Sequence, residues 1–190
     1  MKKILCFLLL LLTGCSSKTS MIEIQKHVYV EKEFKDSWLE TNEFGDSYIK
    51  EELQGGYHYH FDQQFLEIFF NTGGKIELYN YSIKKNDLII SGEMIPPKTI
   101  RLVHPHLDNV TSEGVIIHEL GHYFDEKHQF SSSKQFTELY KKYRTLFNQK
   151  TKKEYFAECF KEYVGGHQEK VKPFHSYMKT ITQKIRQKNK

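Results

Sequence analysis

The chain has 190 residues, 27% of them charged and 38% hydrophobic, with a formal net charge of +4. This is one domain's worth of chain, and its 14 Phe and 12 Tyr are enough for a real core. Without residues 1–14, which hold Lys2 and Lys3 but no acid, the charge falls to +2, a balance that does not point to nucleic acid as a partner.

The N-terminus has the layout of a bacterial lipoprotein signal. Lys2 and Lys3 precede an apolar run from Ile4 to Leu12, and Leu11-Leu12-Thr13-Gly14-Cys15 ends as a lipobox. The run is too short to span a bilayer. A lipobox implies cleavage before Cys15 and a diacylglycerol on its thiol, which attaches a chain firmly to a membrane. The expected organisation is a signal peptide over 1–14, a tether over 15–21 and one domain over 22–190, held on the outer face of the cell membrane. Cys6 leaves with the signal and Cys15 carries lipid, so Cys159 is the one thiol of the mature chain and no intramolecular disulfide forms.

Residues 22–30, with Ile22, Ile24, Val28 and Val30, alternate as a strand. Residues 46–54 read as a helix ending at Gly55-Gly56, and Asp62 to Phe70 as another stopped by Gly73-Gly74. Strands are expected over Lys75 to Tyr81, Asp87 to Ser91 and Thr99 to Val103, the last two flanking a Pro96-Pro97 turn. Four helices follow, over 112–126, 133–147, 152–164 and 173–187, the first capped by Thr111 or Ser112. A small mixed sheet followed by helices makes an α+β architecture. Two histidine pairs, His58/His60 and His104/His106, have no carboxylate at ligand spacing; they are expected to be exposed or hydrogen-bonded, with His104 and His106 candidates for a cleft rim.

The first of the four helices contains His118-Glu119-Leu120-Gly121-His122, an H-E-x-x-H pattern. Residues four apart share a helix face, so His118 and His122 can direct both imidazoles at one metal ion. Glu119, one residue round, can take a proton from water at that metal without being a ligand. A catalytic zinc site needs a third protein ligand. The segment Glu154-Tyr155-Phe156-Ala157-Glu158-Cys159-Phe160 offers Glu154 and Glu158 on one face; spacing leaves open which carboxylate ligates and which holds a histidine from behind. Cys159 is expected to pack as a small apolar side chain.

Together, His118-Glu119-Leu120-Gly121-His122-Tyr123-Phe124-Asp125 and Glu154-Tyr155-Phe156-Ala157-Glu158-Cys159-Phe160 resemble the catalytic domain of anthrax lethal factor and the small secreted Pro-Pro endopeptidases of the same clan. Lys134-Gln135-Phe136 and Pro173-Phe174-His175-Ser176-Tyr177-Met178 also look familial, and the resemblance covers residues 60–185. It implies a zincin-like fold with one Zn2+ per chain held by His118, His122 and Glu154, with Glu119 as general base. Glu158 and Asp125 then stand behind the ligands. Such enzymes lay an extended substrate along a sheet edge above the motif helix; Thr99 to Val103, or its neighbour at 87–91, is expected to be that edge. The relatives place a tyrosine seven residues before the third ligand to stabilise the oxyanion. This chain has Phe147 there, which leaves Tyr143 and Tyr155 as candidate oxyanion donors. The expected function is a monomeric, membrane-anchored zinc endopeptidase acting on surface or secreted proteins, with proline-rich ones as candidates. The alternative is a surface binding lipoprotein that keeps the zinc and has lost catalysis.

Overall fold

The computed structural model describes residues 20–41, 46–85, 88–104, 113–149 and 151–189. The expected lipoprotein signal over residues 1–14, Cys15, Thr111, Ser112 and His106 lie outside the described residues. The fold is mixed α+β, with a small mixed sheet and seven α-helices among the described residues.

The predicted strand over 22–30 is two strands, β1 (Met21–Gln25) and β2 (Val28–Glu31), paired antiparallel around His27 at φ 67. After β2 come two short helices, α1 (Lys35–Leu39) and α2 (Tyr48–Gln54). Ser47 caps α2 and Gly55, at φ 85, ends it where a side chain would be strained. The helix α3 (Gln64–Asn71) buries Phe65, Leu66, Ile68 and Phe69, and leads into β3 (Lys75–Tyr79).

β3 alternates as a half-buried strand should: Ile76 and Leu78 are fully buried, and Glu77 lies on the other face. β3 pairs in parallel with β2 and with β7 (Thr99–Val103). Between β3 and β7 lie a separate hairpin, β4 (Ile83–Lys85) with β5 (Leu88–Ile90), and a strand that alternation did not reveal, β6 (Gly92–Ile95). β6 pairs antiparallel with β7, giving the order β1-β2-β3-β7-β6. This overturns the expected sheet edge. Thr99–Val103 is interior, Leu88–Ile90 of the 87–91 segment belongs to the hairpin, and the edge strand beside β7 is Gly92–Ile95. The outer face of the sheet carries a charge row in register, with Arg101 donating to Glu77 and to Glu93, each at 3.3 Å.

The remaining helices are α4 (Val115–His128), α5 (Lys134–Tyr143), α6 (Lys152–Val164) and α7 (His175–Gln187). α5 ends four residues before the predicted 147, and the residues before α7, Gln168–Phe174, form 3₁₀ turns around Pro173. The apolar faces of α4 and α6 supply Ile116, Ile117, Leu120, Phe124, Phe156 and Phe160 to one core with the sheet's inner face. The two helices approach closely at Gly121, where an added Cβ would lie 2.9 Å from the Ala157 Cα. No described helix is long and apolar enough to cross a membrane.

Candidate metal centre

The α4–α6 crossing brings together the residues that the motifs singled out. His118 and His122 project from α4 and Glu154 from the first turn of α6. Glu154 is fixed there by a cap, since Thr151 Oγ1 accepts from the Glu154 amide at 3.2 Å. This Thr-x-x-Glu spacing is a helix-start signal in the sequence, and it places Glu154, not Glu158, at the helix mouth. Three atoms then form a triangle: His118 Nε2 to His122 Nε2 is 3.1 Å, His122 Nε2 to Glu154 Oε2 is 3.2 Å, and His118 Nε2 to Glu154 Oε2 is 3.3 Å. Ligands about 2.0–2.1 Å from a tetrahedral ion stand roughly 3.3 Å apart, so the three atoms fit one metal ion of zinc's size.

Glu158 occupies the position behind His118. Its Oε2 accepts from His118 Nδ1 at 3.2 Å and its Oε1 from Lys161 Nζ at 2.7 Å. With Nδ1 as donor, the His118 Nε2 lone pair is turned into the triangle. Asp125 is placed differently. Its two oxygens accept from the Ser131 amide and hydroxyl, both at 2.6 Å, so it ties the end of α4 to the turn that follows. Cys159 is buried in the core, and burial pushes its thiol well above the usual range.

Burial opposes a proton on His118, but Glu154 and Glu158 outweigh it and push the pKa up to about 9. The hydrogen bonds from His118 and His122 hold Glu154 well below the ordinary carboxylate range, against burial. Burial would raise Glu158, but His118 and Lys161 bring it down. Glu119 is 6% exposed and behaves oppositely: burial raises it, partly offset by the two histidines and by the Met94 amide of β6. A buried carboxylate of raised pKa is suited to accept a proton near neutrality.

A divalent cation bound at the triangle would compete with the proton on His118. The raised His118 pKa means that its protonation stabilises the fold fully below pH 6.5, and that this contribution is lost as pH rises through about 9. Loading with Zn2+ at pH 7.5 should release about one proton, and apparent affinity should climb roughly ten-fold per pH unit up to about pH 9. Calorimetry in buffers of different ionisation heat reads this directly. A binding heat independent of the buffer would contradict it.

The triangle lies in a cleft of about 760 Å3 lined by Met94 and Pro96 on the β6 side and by Glu126, Asn148, Gln149 and Lys153 opposite. A second recess of about 280 Å3 continues past His118 and Glu119 to Ile89, Ile90, Val115 and Lys161. Neither candidate oxyanion tyrosine lines these cavities. Tyr155 is fully buried and donates to the Tyr143 carbonyl at 2.5 Å, while the Tyr143 ring packs on Phe174. Phe147 stacks edge-on against Tyr155. Asn148 and Gln149, which the sequence reading passed over, are the carboxamide donors on the cleft wall.

The other histidines are elsewhere. His104 is no rim residue: it is buried, edge-on to Trp38 and Tyr48, with Nε2 against the Ser37 carbonyl at 3.2 Å. His58 meets a carboxylate that sequence spacing did not show, Glu113, at 2.5 Å on the surface. Comparison of the chain with known protein families and with curated proteins found no match to either.

Proposed function

We propose that the protein is a zinc-dependent endopeptidase of zincin-like fold, lipid-anchored through Cys15 on the outer face of the cell membrane and acting on surface or secreted proteins. The observation that carries this reading is the Nε2, Nε2, Oε2 triangle of His118, His122 and Glu154, with buried Glu119 beside it under an open sheet edge. The resemblance of both motifs to lethal factor and the Pro-Pro endopeptidases points the same way.

Zinc bound in the triangle would polarise the scissile carbonyl and activate a water. The chain's own residues do the rest. The edge of β6 offers backbone donors and acceptors to an extended peptide, independent of its side chains. Glu119 accepts the water's proton and returns it to the leaving amine. Glu158 holds the His118 ring in the ligating tautomer. The cavities continue on both sides of the triangle, which suits a bond inside a chain more than one at its end.

One observation favours a second reading, a zinc-containing surface binding protein without turnover: Tyr143 and Tyr155 are both held in packing away from the cleft. A mass-spectrometric cleavage profile separates the two. Zinc-loaded protein is incubated with a peptide library enriched in proline, alongside Glu119→Ala. Cuts made only by the unsubstituted protein establish the endopeptidase and show whether proline flanks the bond. No cuts from protein holding one zinc leave the binding reading.

A further inference from the structure

The charges of this chain are unevenly divided. Residues 127–190 hold 16 Lys and Arg against five acids, whereas residues 15–126 hold ten against 19. The imbalance is steepest over residues 170–190, which contain six lysines, one arginine and no acid. At the chain's own frequency of acids, about three would be expected there.

α7 exposes part of this charge along its solvent-facing half. It buries Tyr177, Met178, Ile181, Thr182 and Ile185, and Lys179, Lys184 and Lys188 are exposed across its solvent-facing half, Lys179 and Lys188 at opposite edges of that half, with Lys172 exposed just before it. Arg186 is paired with Asp62 and Lys170 with Glu162. Lys172, Lys179, Lys184 and Lys188 have no acidic partner among the described residues. The patch extends past the end of the helix: His128 is lowered by burial and by the nearby charges of Lys188 and of Lys127 at the end of α4. Single surface lysines are ordinary. Four of them on or just before a helix of roughly 20 Å that carries no acid of its own are an electrostatic footprint.

We propose that the outward face of α7, with Lys172, docks on an anionic lipid bilayer. This rests on the reading that Cys15 carries lipid. Residues 15–20 reach at most roughly 20 Å when fully extended, so the folded body would stay close to the membrane surface. Lysines within about a Debye length of an anionic leaflet are drawn to it. Docking through α7 fixes the body in one orientation on the bilayer, and with it the direction in which the cleft opens.

The test uses protein beginning at residue 19, which retains every described strand and helix and the whole core but carries no acyl chain. It is sedimented with vesicles of phosphatidylcholine alone and with vesicles containing about one-third phosphatidylglycerol. Binding is expected to the anionic vesicles only, and to weaken at least about ten-fold between about 0.05 and 0.5 M salt. Combined Lys172→Gln, Lys179→Gln, Lys184→Gln and Lys188→Gln should cost at least about ten-fold in affinity, while the four Lys→Arg changes retain binding. Lys and Gln have similar helix propensities, so the thermal unfolding midpoint should be unchanged. Absent binding, equal binding to neutral vesicles, or undiminished binding by the Gln variant overturns the proposal. So does capture by soluble poly(glycerol phosphate) without vesicle binding, which would assign the face to a wall polymer. Because no acyl chain is present, none of these outcomes depends on lipidation of Cys15, which the mass of the native membrane form reads separately.

Discussion

Glu119→Ala is expected to lower kcat for peptide hydrolysis by about 100- to 10,000-fold or to background, with one zinc still bound per chain. The residue is placed for a proton and not for the metal: it lies outside the three-atom cluster, buried, with the Met94 amide of the sheet edge on its carboxylate. Alanine there removes the proton acceptor and leaves His118, His122 and Glu154 untouched. His122→Ala has the opposite signature, because it deletes a corner of the triangle and zinc is lost along with activity. Steady-state kinetics with metal analysis of the purified variants distinguishes the two. Wild-type turnover by Glu119→Ala would remove the general-base role, and zinc retained by His122→Ala would remove the ligand assignment.

Gly121→Ala is expected to damage both the fold and the site. A Cβ at this position would lie 2.9 Å from the Ala157 Cα and 3.2 Å from the Phe160 Cβ, so a backbone atom of α6 has to move. Overpacking of this kind costs about 1–3 kcal/mol, against roughly 1 kcal/mol gained from alanine's better helix propensity. The consequence for the metal is larger than the consequence for stability. The histidines ride on α4 and Glu154 on α6, so pushing the helices apart opens two of the three edges of the triangle. Zinc affinity should fall at least about ten-fold, as for other losses of support around a metal site. Thermal unfolding with and without zinc, together with competition against a chelator, measures both effects. Unchanged affinity would mean that the close approach of the helices does not set the triangle.

The largest pieces of the fold are legible in local sequence. α2, α3, α6 and β3 follow from local apolar patterning, with side-chain caps at Ser47 for α2 and Thr151 for α6, because short-range sterics and one buried face are enough to specify them. β6 was not legible: Gly92-Glu93-Met94-Ile95 has no alternation to read, and pairing with β7 is what makes it a strand. The sheet edge differs from the expected one for the same reason, since strand order is a property of long-range pairing. His104 is hydrogen-bonded, one of the two outcomes expected of the pair, but it is not at the cleft rim, because Trp38 and Tyr48, from α1 and the start of α2, close over it.

The candidate site divides in the same way. The sequence by itself determined that His118 and His122 share a helix face with Glu119 beside them, because a four-residue spacing has only one outcome on an α-helix. It also placed two carboxylates on a second helix, and the Thr151 cap marks the one in the first turn. Only the tertiary structure decided that Glu154 completes the triangle while Glu158 turns to His118 Nδ1 and Lys161, that Asp125 serves Ser131, and that both tyrosines face away from the cleft. Those outcomes depend on the distance and rotation of α6 against α4, which Gly121 and Ala157 set from residues 36 apart in the chain.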